Sequence, residues 1–267
     1  MLKRRRRKPA PFMDKKCYIT AGNIEKVLLN MEIKTEIARV RKTGMEYSSD
    51  GIMTVERPGG GISVILADGQ GNGLESRLLS RMAVNYAASL VAEGKTNEEA
   101  MRAINDRIYE EHERKVPCSL MILSVDTGSG MIEICRNTPC PVMVSAQEYD
   151  ALYDDSSNPA GIDRHMHTET YSLPIDEENG MLIAGFTDGF FKAGHKHSGR
   201  GVNIDDVWKI IHANPIDDCG YIAKSILEYA IDLDGGEPAD DMTVAVLAVV
   251  PAEHEQKVET IAISYPY

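Results

Sequence analysis

The chain has 267 residues, 43% hydrophobic and 26% charged, which is an ordinary globular composition. Its formal net charge of −12 argues against nucleic acid as the main partner, because binding to phosphate backbones needs a basic surface. The longest apolar stretches are far shorter than the roughly 20 residues needed to cross a bilayer, so no membrane span is predicted.

The first 30 residues are predicted to be a basic, mobile segment. They carry a six-residue basic run at 3–8, which either contacts nucleic acid or anionic lipid or is simply a solvated tail. Residues 22–30 are compatible with a short helix. The five cysteines are odd in number and include no CxxC pair, which disfavours a disulfide framework and predicts free thiols in a reducing cytoplasm.

The first elements predicted after residue 30 are strands. Residues 31–40 alternate between apolar and polar side chains, and residues 52–56 and 62–67 read as two strands joined by the Pro-Gly-rich turn at 57–61. This arrangement predicts a β-hairpin.

After Gly73 the period changes to that of a helix, which is predicted to end near Gly94. Its apolar residues recur every four positions. They are Leu74, Leu78, Met82, Tyr86 and Leu90. Residues 96–99 (TNEE) form a capping box that opens a second helix.

The remaining elements come as hairpin-like strands and helices rather than as βαβ units. Strands are predicted at 119–126, 131–136, 142–145, 165–173, 181–186 and 242–250, and helices at 204–213 and 218–233. This order favours an α+β fold of antiparallel sheets with helices on their outer faces. One domain is predicted over 31–251, followed by a C-terminal extension at 252–267.

Aspartates lie at the edges of several core strands. Asp68 follows an apolar strand, Asp188 follows another, and Asp240 and Asp241 precede the last, with Asp50 a weaker fourth case. A single aspartate in such a place is usually a turn or cap residue. Several at one rim repel each other unless a cation lies among them, and Mg²⁺ or Mn²⁺ prefers such oxygen ligands.

The stretch ADGQGNG at 67–73 contains three glycines within five residues. If Asp68 binds a metal ion, the carbonyl of Gly69 can be an adjacent ligand only where the chain packs closely. A plain turn is the alternative. The run is not a Walker A motif, since no Gly-Lys-Ser/Thr follows.

Three motifs together resemble the metal-dependent type 2C (PPM) serine/threonine protein phosphatases, above all their bacterial SpoIIE/RsbU-type branch. They are DGQGNG at 68–73, FTDGF at 186–190 and ADDMTV at 239–244. The segments at 124–130, 136–141 and 158–162 are also similar to family elements. The resemblance covers about residues 32–250.

The resemblance implies a four-layer α-β-β-α sandwich with two Mn²⁺ or Mg²⁺ ions at one end. Asp68 would bridge the ions, helped by the Gly69 carbonyl. Asp188 would bind one ion, Asp240 the other with Asp241 beside it, and Asp50 would contribute partly through water. Asp68, Asp188 and Asp240 are therefore the candidate catalytic residues, and which of Asp240 and Asp241 is the direct ligand stays open.

The chain also departs from the family pattern. Met45 stands where many members have a phosphate-binding arginine, with Arg41 and Lys42 near but off register. Ser49 replaces an acidic neighbour found in many members.

Four histidines near the motifs have simple alternatives to a role in catalysis. His195 and His197 either protonate the leaving oxygen or lie in a solvated loop. His165 and His167 are interpreted as surface residues of a strand.

The function predicted from this resemblance is a cytoplasmic, regulatory phosphoserine/phosphothreonine phosphatase. Its substrate would be a phosphoprotein of the anti-anti-sigma (STAS) type, and a homodimer is compatible with the resemblance. Two alternatives remain. One is a phosphatase-fold binding module with a weak metal site, and the other is a hydrolase of small phosphoesters.

Overall fold

The computed structural model describes residues 31–71, 73–111, 116–155 and 157–252. Within these residues the strands are β1 (Met31–Val40), β2 (Asp50–Glu56), β3 (Gly61–Gly69), β4 (Cys118–Asp126), β5 (Met131–Asn137), β6 (Val142–Ala146), β7 (Asp150–Tyr153), β8 (Glu169–Pro174), β9 (Met181–Phe186) and β10 (Met242–Pro251). The helices are α1 (Leu74–Ala92), α2 (Asn97–Glu111), α3 (Asp188–Lys192), α4 (Ile204–His212) and α5 (Cys219–Leu233).

The strands form two five-stranded sheets whose neighbouring strands are all antiparallel. The order is β1-β10-β9-β6-β7 in the first sheet and β2-β3-β4-β5-β8 in the second. The predicted hairpin of β2 and β3 is present, with Asp50 opposite Asp68 in its register.

Three buried apolar clusters separate four layers. The middle cluster lies between the sheets and contains Leu66 and Met121 from one sheet with Ile183 and Leu247 from the other. A second cluster packs α1 and α2 on the outer face of the second sheet, and a third packs α3, α4 and α5 on the first. The predicted α-β-β-α sandwich is confirmed.

Helix α1 is confirmed, but its buried face is not the predicted stripe. Leu74 and Leu78 are 68% and 57% exposed. The face against β2 and β3 is lined by small and medium side chains instead: Ser76, Leu79, Ser80, Ala83, Val84, Ala87 and Val91. The reason is close packing, because the helix backbone approaches the sheet at glycines (described below) and leaves no room for larger side chains.

Several smaller predictions have clear outcomes. The capping box is confirmed, since the Thr96 hydroxyl accepts from the Glu99 N–H and the Glu99 carboxylate accepts from the Thr96 N–H. The strand predicted at 165–173 was wrong at its start, because β8 begins only at Glu169. His165 and His167 precede it and are exposed.

Helix α3 and strand β7 were not predicted. Both are too short for a hydrophobic period to show, with five and four residues respectively.

The four described cysteines are buried and unpaired. In the part of the chain that is described, no helix is long and apolar enough to cross a membrane. The predictions for 1–30 and 253–267 lie outside the described residues.

Candidate metal centre

Asp50 and Asp68 lie side by side at one end of the second sheet. They are directly opposite in the antiparallel pairing of β2 and β3, so their side chains share one face of the sheet. Asp50 opens β2, and Asp68 is the second-last residue of β3. The hairpin register alone therefore brings two carboxylates together.

Asp50 also reaches across to the other sheet. Its side chain is buried, and one oxygen, Oδ2, accepts hydrogen bonds from the hydroxyls of Thr187 at 2.9 Å and Thr243 at 2.6 Å. The Thr187 hydroxyl in turn accepts from the Thr243 N–H at 2.9 Å. These bonds join the start of β2 to the end of β9 and the start of β10, so the site lies at the seam between the sheets.

Burial and mutual repulsion raise the pKa of both carboxyls. Burial is the main cause of the raised pKa of Asp68, followed by the negative charges of Asp50 and Asp188 and by a hydrogen bond with Asp188. Burial likewise raises the pKa of Asp50, although its bonds from Thr243 and Thr187 oppose the shift. The charges of Asp50, Asp68 and Asp188 thus act on one another.

One ammonium group lies between two of the acidic residues. Lys192 Nζ is 2.7 Å from Asp188 Oδ2 and 3.2 Å from Asp240 Oδ2. Burial lowers the pKa of Lys192, but the hydrogen bonds and charges of Asp188 and Asp240 outweigh it and hold that pKa above its usual range. Lys192 therefore occupies the place between Asp188 and Asp240 as a cation.

Both carboxylate oxygens of Asp241 accept hydrogen bonds from the connection between β1 and β2. Oδ1 accepts from the Lys42 N–H at 2.8 Å, and Oδ2 accepts from the N–H and hydroxyl of Ser49 at 2.8 and 2.6 Å. These bonds fix the connection between β1 and β2 immediately before Asp50.

Three aspartates are each followed by a glycine that allows a close backbone approach. A Cβ on Gly51 would press on the Ser80 carbonyl, one on Gly69 on the Ser76 carbonyl, and one on Gly189 on the Asp241 carbonyl. The first two contacts seat α1 against β2 and β3, and the third seats α3 against the start of β10. These glycines therefore let the helices pack against the strand ends that carry the carboxylates.

Gly189→Ala is expected to lower the free energy of unfolding by about 1–3 kcal/mol, because the added methyl overlaps the Asp241 carbonyl. Helix propensity alone would favour alanine by about 1 kcal/mol, so the sign of the change separates the two effects. Urea unfolding measures it. Gly59→Ala is the control, since no atom lies within 4 Å of its added Cβ, and a change there as large as at Gly189 would contradict the packing argument.

The donor set fits a hard divalent cation. Asp50, Asp68, Asp188 and Asp240 offer only oxygen atoms, which Mg²⁺ and Mn²⁺ prefer, and Lys192 stands in for a positive charge among them. Among the described residues, no three or more histidine, cysteine or acidic side chains are already gathered closely enough to hold an ion. An ion bound by both Asp188 and Asp240 would take the position that Lys192 holds between them.

Sequence reasoning missed the residues that connect the carboxylates. Thr187 and Thr243 lie within the FTDGF and ADDMTV motifs, but only the fold shows that both donate to Asp50. Lys192 had a weak signal, since it lies four residues after Asp188, where a helix places it on the same face. His195 and His197 are exposed beyond α3.

The fold defines the class of protein, because it matches the phosphatase domains of the PP2C type. The phosphatase domain of SpoIIE from Bacillus subtilis superposes with a TM-score of 0.63 at 20% identity, over 88% of this chain and 99% of that one. RsbX in complex with magnesium gives a TM-score of 0.63 at 14% identity, over 81% and 95%. A structure of the SpoIIE phosphatase domain with a regulatory fragment, also from Bacillus subtilis, gives 0.70 at 21% identity, over 83% of this chain and 65% of that one, so the present chain spans less than two thirds of it.

Sequence similarity shows the family to which the chain belongs. Residues 58–250 match the family described as Stage II sporulation protein E (SpoIIE), and the chain belongs to that family. No curated protein matches the sequence.

Proposed function

We propose that the chain is a metal-dependent phosphatase that hydrolyses phosphoserine or phosphothreonine in a phosphoprotein. The observation that supports this most is the gathering of four aspartates from both sheets at one rim, with Lys192 the one cation paired to them among the described residues. Such a rim would repel a phosphate dianion, so it suits phosphate only when further positive charge is bound there.

Four carboxylates and one carbonyl would hold two Mn²⁺ or Mg²⁺ ions. They belong to Asp50, Asp68, Asp188, Asp240 and Gly69. Asp68 would be the central ligand of this set, because its carboxyl lies close enough to interact with both Asp50 and Asp188. Asp240 is the better direct ligand of the last pair, since both oxygens of Asp241 accept hydrogen bonds from the backbone and side chain around Lys42 and Ser49.

The ions would supply an activated water and would neutralise charge on the phosphate. The protein's own contribution is positioning. Thr187 and Thr243 orient Asp50, and Asp241 fixes the backbone that leads into it. RsbX, a protein of the same fold, is known in complex with magnesium, which supports the use of a divalent ion by this chain.

The finer parts of the proposal come from the family resemblance. They are a regulatory role in partner switching, an anti-anti-sigma (STAS) phosphoprotein as substrate, a homodimer and a cytoplasmic location. A binding module of the same fold is less well supported, because four costly carboxylates at one rim have no evident use in docking.

Phosphate release from a phosphoserine protein tests the proposal. We expect turnover with Mn²⁺ or Mg²⁺, loss with EDTA, and recovery on adding the metal back. Folded protein that binds no metal and turns over nothing would indicate the docking module. Turnover of p-nitrophenyl phosphate or sugar phosphates without any turnover of phosphoproteins would indicate the small-phosphoester hydrolase.

A further inference from the structure

Exposed apolar side chains are concentrated beside the candidate metal centre. Seven large hydrophobic residues are strongly exposed among those described, and four of them lie close to the first turns of α1 or in the β1–β2 connection: Met45, Tyr47, Leu74 and Leu78. The exposure of Met45 is 38% and that of Tyr47 is 52%. A single exposed apolar residue needs no explanation, but a contiguous group often marks a binding surface.

Three of these residues line a cavity that opens onto the acidic rim. Its volume is about 260 Å³, and its walls include Met45, Tyr47 and Leu74 together with Asp240 and Asp241. The volume is below the roughly 300–1,000 Å³ of pockets for whole small ligands, so it suits one large side chain better than a complete metabolite. The cavity and the candidate metal centre share Asp240 and are therefore continuous.

One wall of the cavity is held in place by a stacked pair. The Arg77 guanidinium lies 3.9 Å from the centroid of the Tyr47 ring, which is a cation–π contact. Arg77 extends from α1, whose backbone is seated on the sheet through Gly51 and Gly69. The wall is thus tied to the same helix that packs against Asp50 and Asp68.

The charges around the cavity also indicate its occupant. Arg77 and Lys42 line it together with the acidic residues Glu46, Asp240 and Asp241, and Met45 and Leu74 supply apolar surface. A peptide that carries a phosphate to the rim would pass these cations and would place its neighbouring side chain against the apolar surface. The neighbours of a phosphorylated residue are the only part of a phosphoprotein that must lie this close to the rim.

We propose that this cavity receives a large apolar side chain that flanks the phosphorylated residue of a phosphoprotein substrate. Tyr47 and Met45 would be residues that determine substrate specificity, with Arg77 holding Tyr47 in place. The proposal rests on the proposed function, because it assigns a preference to the same phosphatase site.

Phosphopeptides of one host sequence test the preference. Leucine is placed at each position from three before to three after the phosphoserine, with serine elsewhere, and kcat/KM is measured with Mn²⁺. We expect one position at which leucine raises kcat/KM about tenfold, the effect of burying one such side chain.

Two matched tyrosine variants then assign the preference to the cavity. Tyr47→Ser is expected to reduce the leucine preference to within twofold and to leave turnover of p-nitrophenyl phosphate unchanged. Tyr221→Ser removes a tyrosine of similar exposure, 57%, from α5 and is expected to keep the preference.

The outcomes separate this inference from the proposed function. Turnover of all peptides at equal rates, or a leucine preference that survives Tyr47→Ser, overturns the inference alone. No turnover of any phosphopeptide overturns both. A dimer that dissociates on Tyr47→Ser in sedimentation analysis would assign the cavity to a second copy of the chain and would also overturn the inference.

Discussion

Asp68→Asn is expected to reduce metal-dependent phosphate release by at least about 100-fold and, in the absence of metal, to make the chain harder to unfold. The first effect follows from the central place of Asp68, which interacts with both Asp50 and Asp188. An asparagine offers one neutral oxygen in place of a carboxylate, so it would bind a divalent cation less tightly.

The gain in stability has an electrostatic cause. Burial and repulsion from Asp50 and Asp188 raise the pKa of Asp68, so folding of the metal-free chain must keep this carboxyl protonated at a pH where the unfolded chain would ionise it. The asparagine amide can donate the hydrogen bond to Asp188 that the protonated acid donates, without bringing a charge. We expect the free energy of unfolding of the metal-free chain to rise by about 1–3 kcal/mol at pH 7.5.

The pH dependence has a defined sign. Because the pKa values of Asp50 and Asp68 are higher in the folded chain than in the unfolded one, the folded chain binds more protons. The contribution of these two carboxyls to the stability of the metal-free chain is therefore fully present below about pH 4, the usual pKa of an aspartate, and is lost as pH rises through the raised values. Asp68→Asn should make this slope shallower.

Urea unfolding in EDTA between pH 4 and pH 9 measures both effects. Asp126→Asn is the matched control, because Asp126 lies at the other end of β4, 3.1 Å from the Arg57 guanidinium. That change should lower stability and keep activity. A wild-type chain whose stability rises steadily with pH, or an Asp68→Asn variant that is less stable than wild type, would contradict the electrostatic argument.

Lys192→Gln is expected to tighten the binding of Mn²⁺ about tenfold. The Lys192 ammonium contacts Asp188 and Asp240 at 2.7 and 3.2 Å, so an ion that uses both carboxylates must displace it. Its removal also takes a positive charge from within a few ångströms of the ion, and two like charges at about 4 Å repel by about 1–4 kcal/mol in water or near a protein surface. Isothermal titration calorimetry with Mn²⁺ measures the dissociation constant without reference to activity.

Lys196→Gln is the control for net charge. Lys196 is exposed four residues further on, and no ion pair joins it to any described residue. Its replacement should leave the dissociation constant within about twofold. If Lys192→Gln binds Mn²⁺ as wild type does, or more weakly, then Lys192 is not a competitor of the metal, and a role in holding the two carboxylates together would explain its position better.

The acidic rim could be predicted from the sequence because the residues that position each aspartate lie close to it along the chain. Each aspartate stands at the end of a strand whose apolar pattern is visible, and the short turn at 57–61 sets the register that pairs Asp50 with Asp68. The sequence could not show which of Asp240 and Asp241 is free to bind a metal ion and which one holds the backbone of the β1–β2 connection. These adjacent residues of one motif have different partners, and those of Asp241 lie about 190 positions away along the chain.

The buried face of α1 was mispredicted for a related reason. A four-residue spacing of large apolar residues identified the helix correctly, but it did not show which side the sheet would accept. That choice depends on Gly51 and Gly69, which belong to other elements. Leucines that looked like core residues are left at the surface, next to the cavity that borders Asp240.

The bonds from Thr187 and Thr243 to Asp50 mean that neither sheet holds a complete set of carboxylates. The second sheet supplies Asp50 and Asp68, while Asp188 and Asp240 stand at the ends of β9 and β10 in the first. A chain with both sheets formed but not yet docked would therefore lack the site. Any ligand of all four aspartates would bind only when the two sheets are docked, and its concentration would set how strongly it stabilises the docked state.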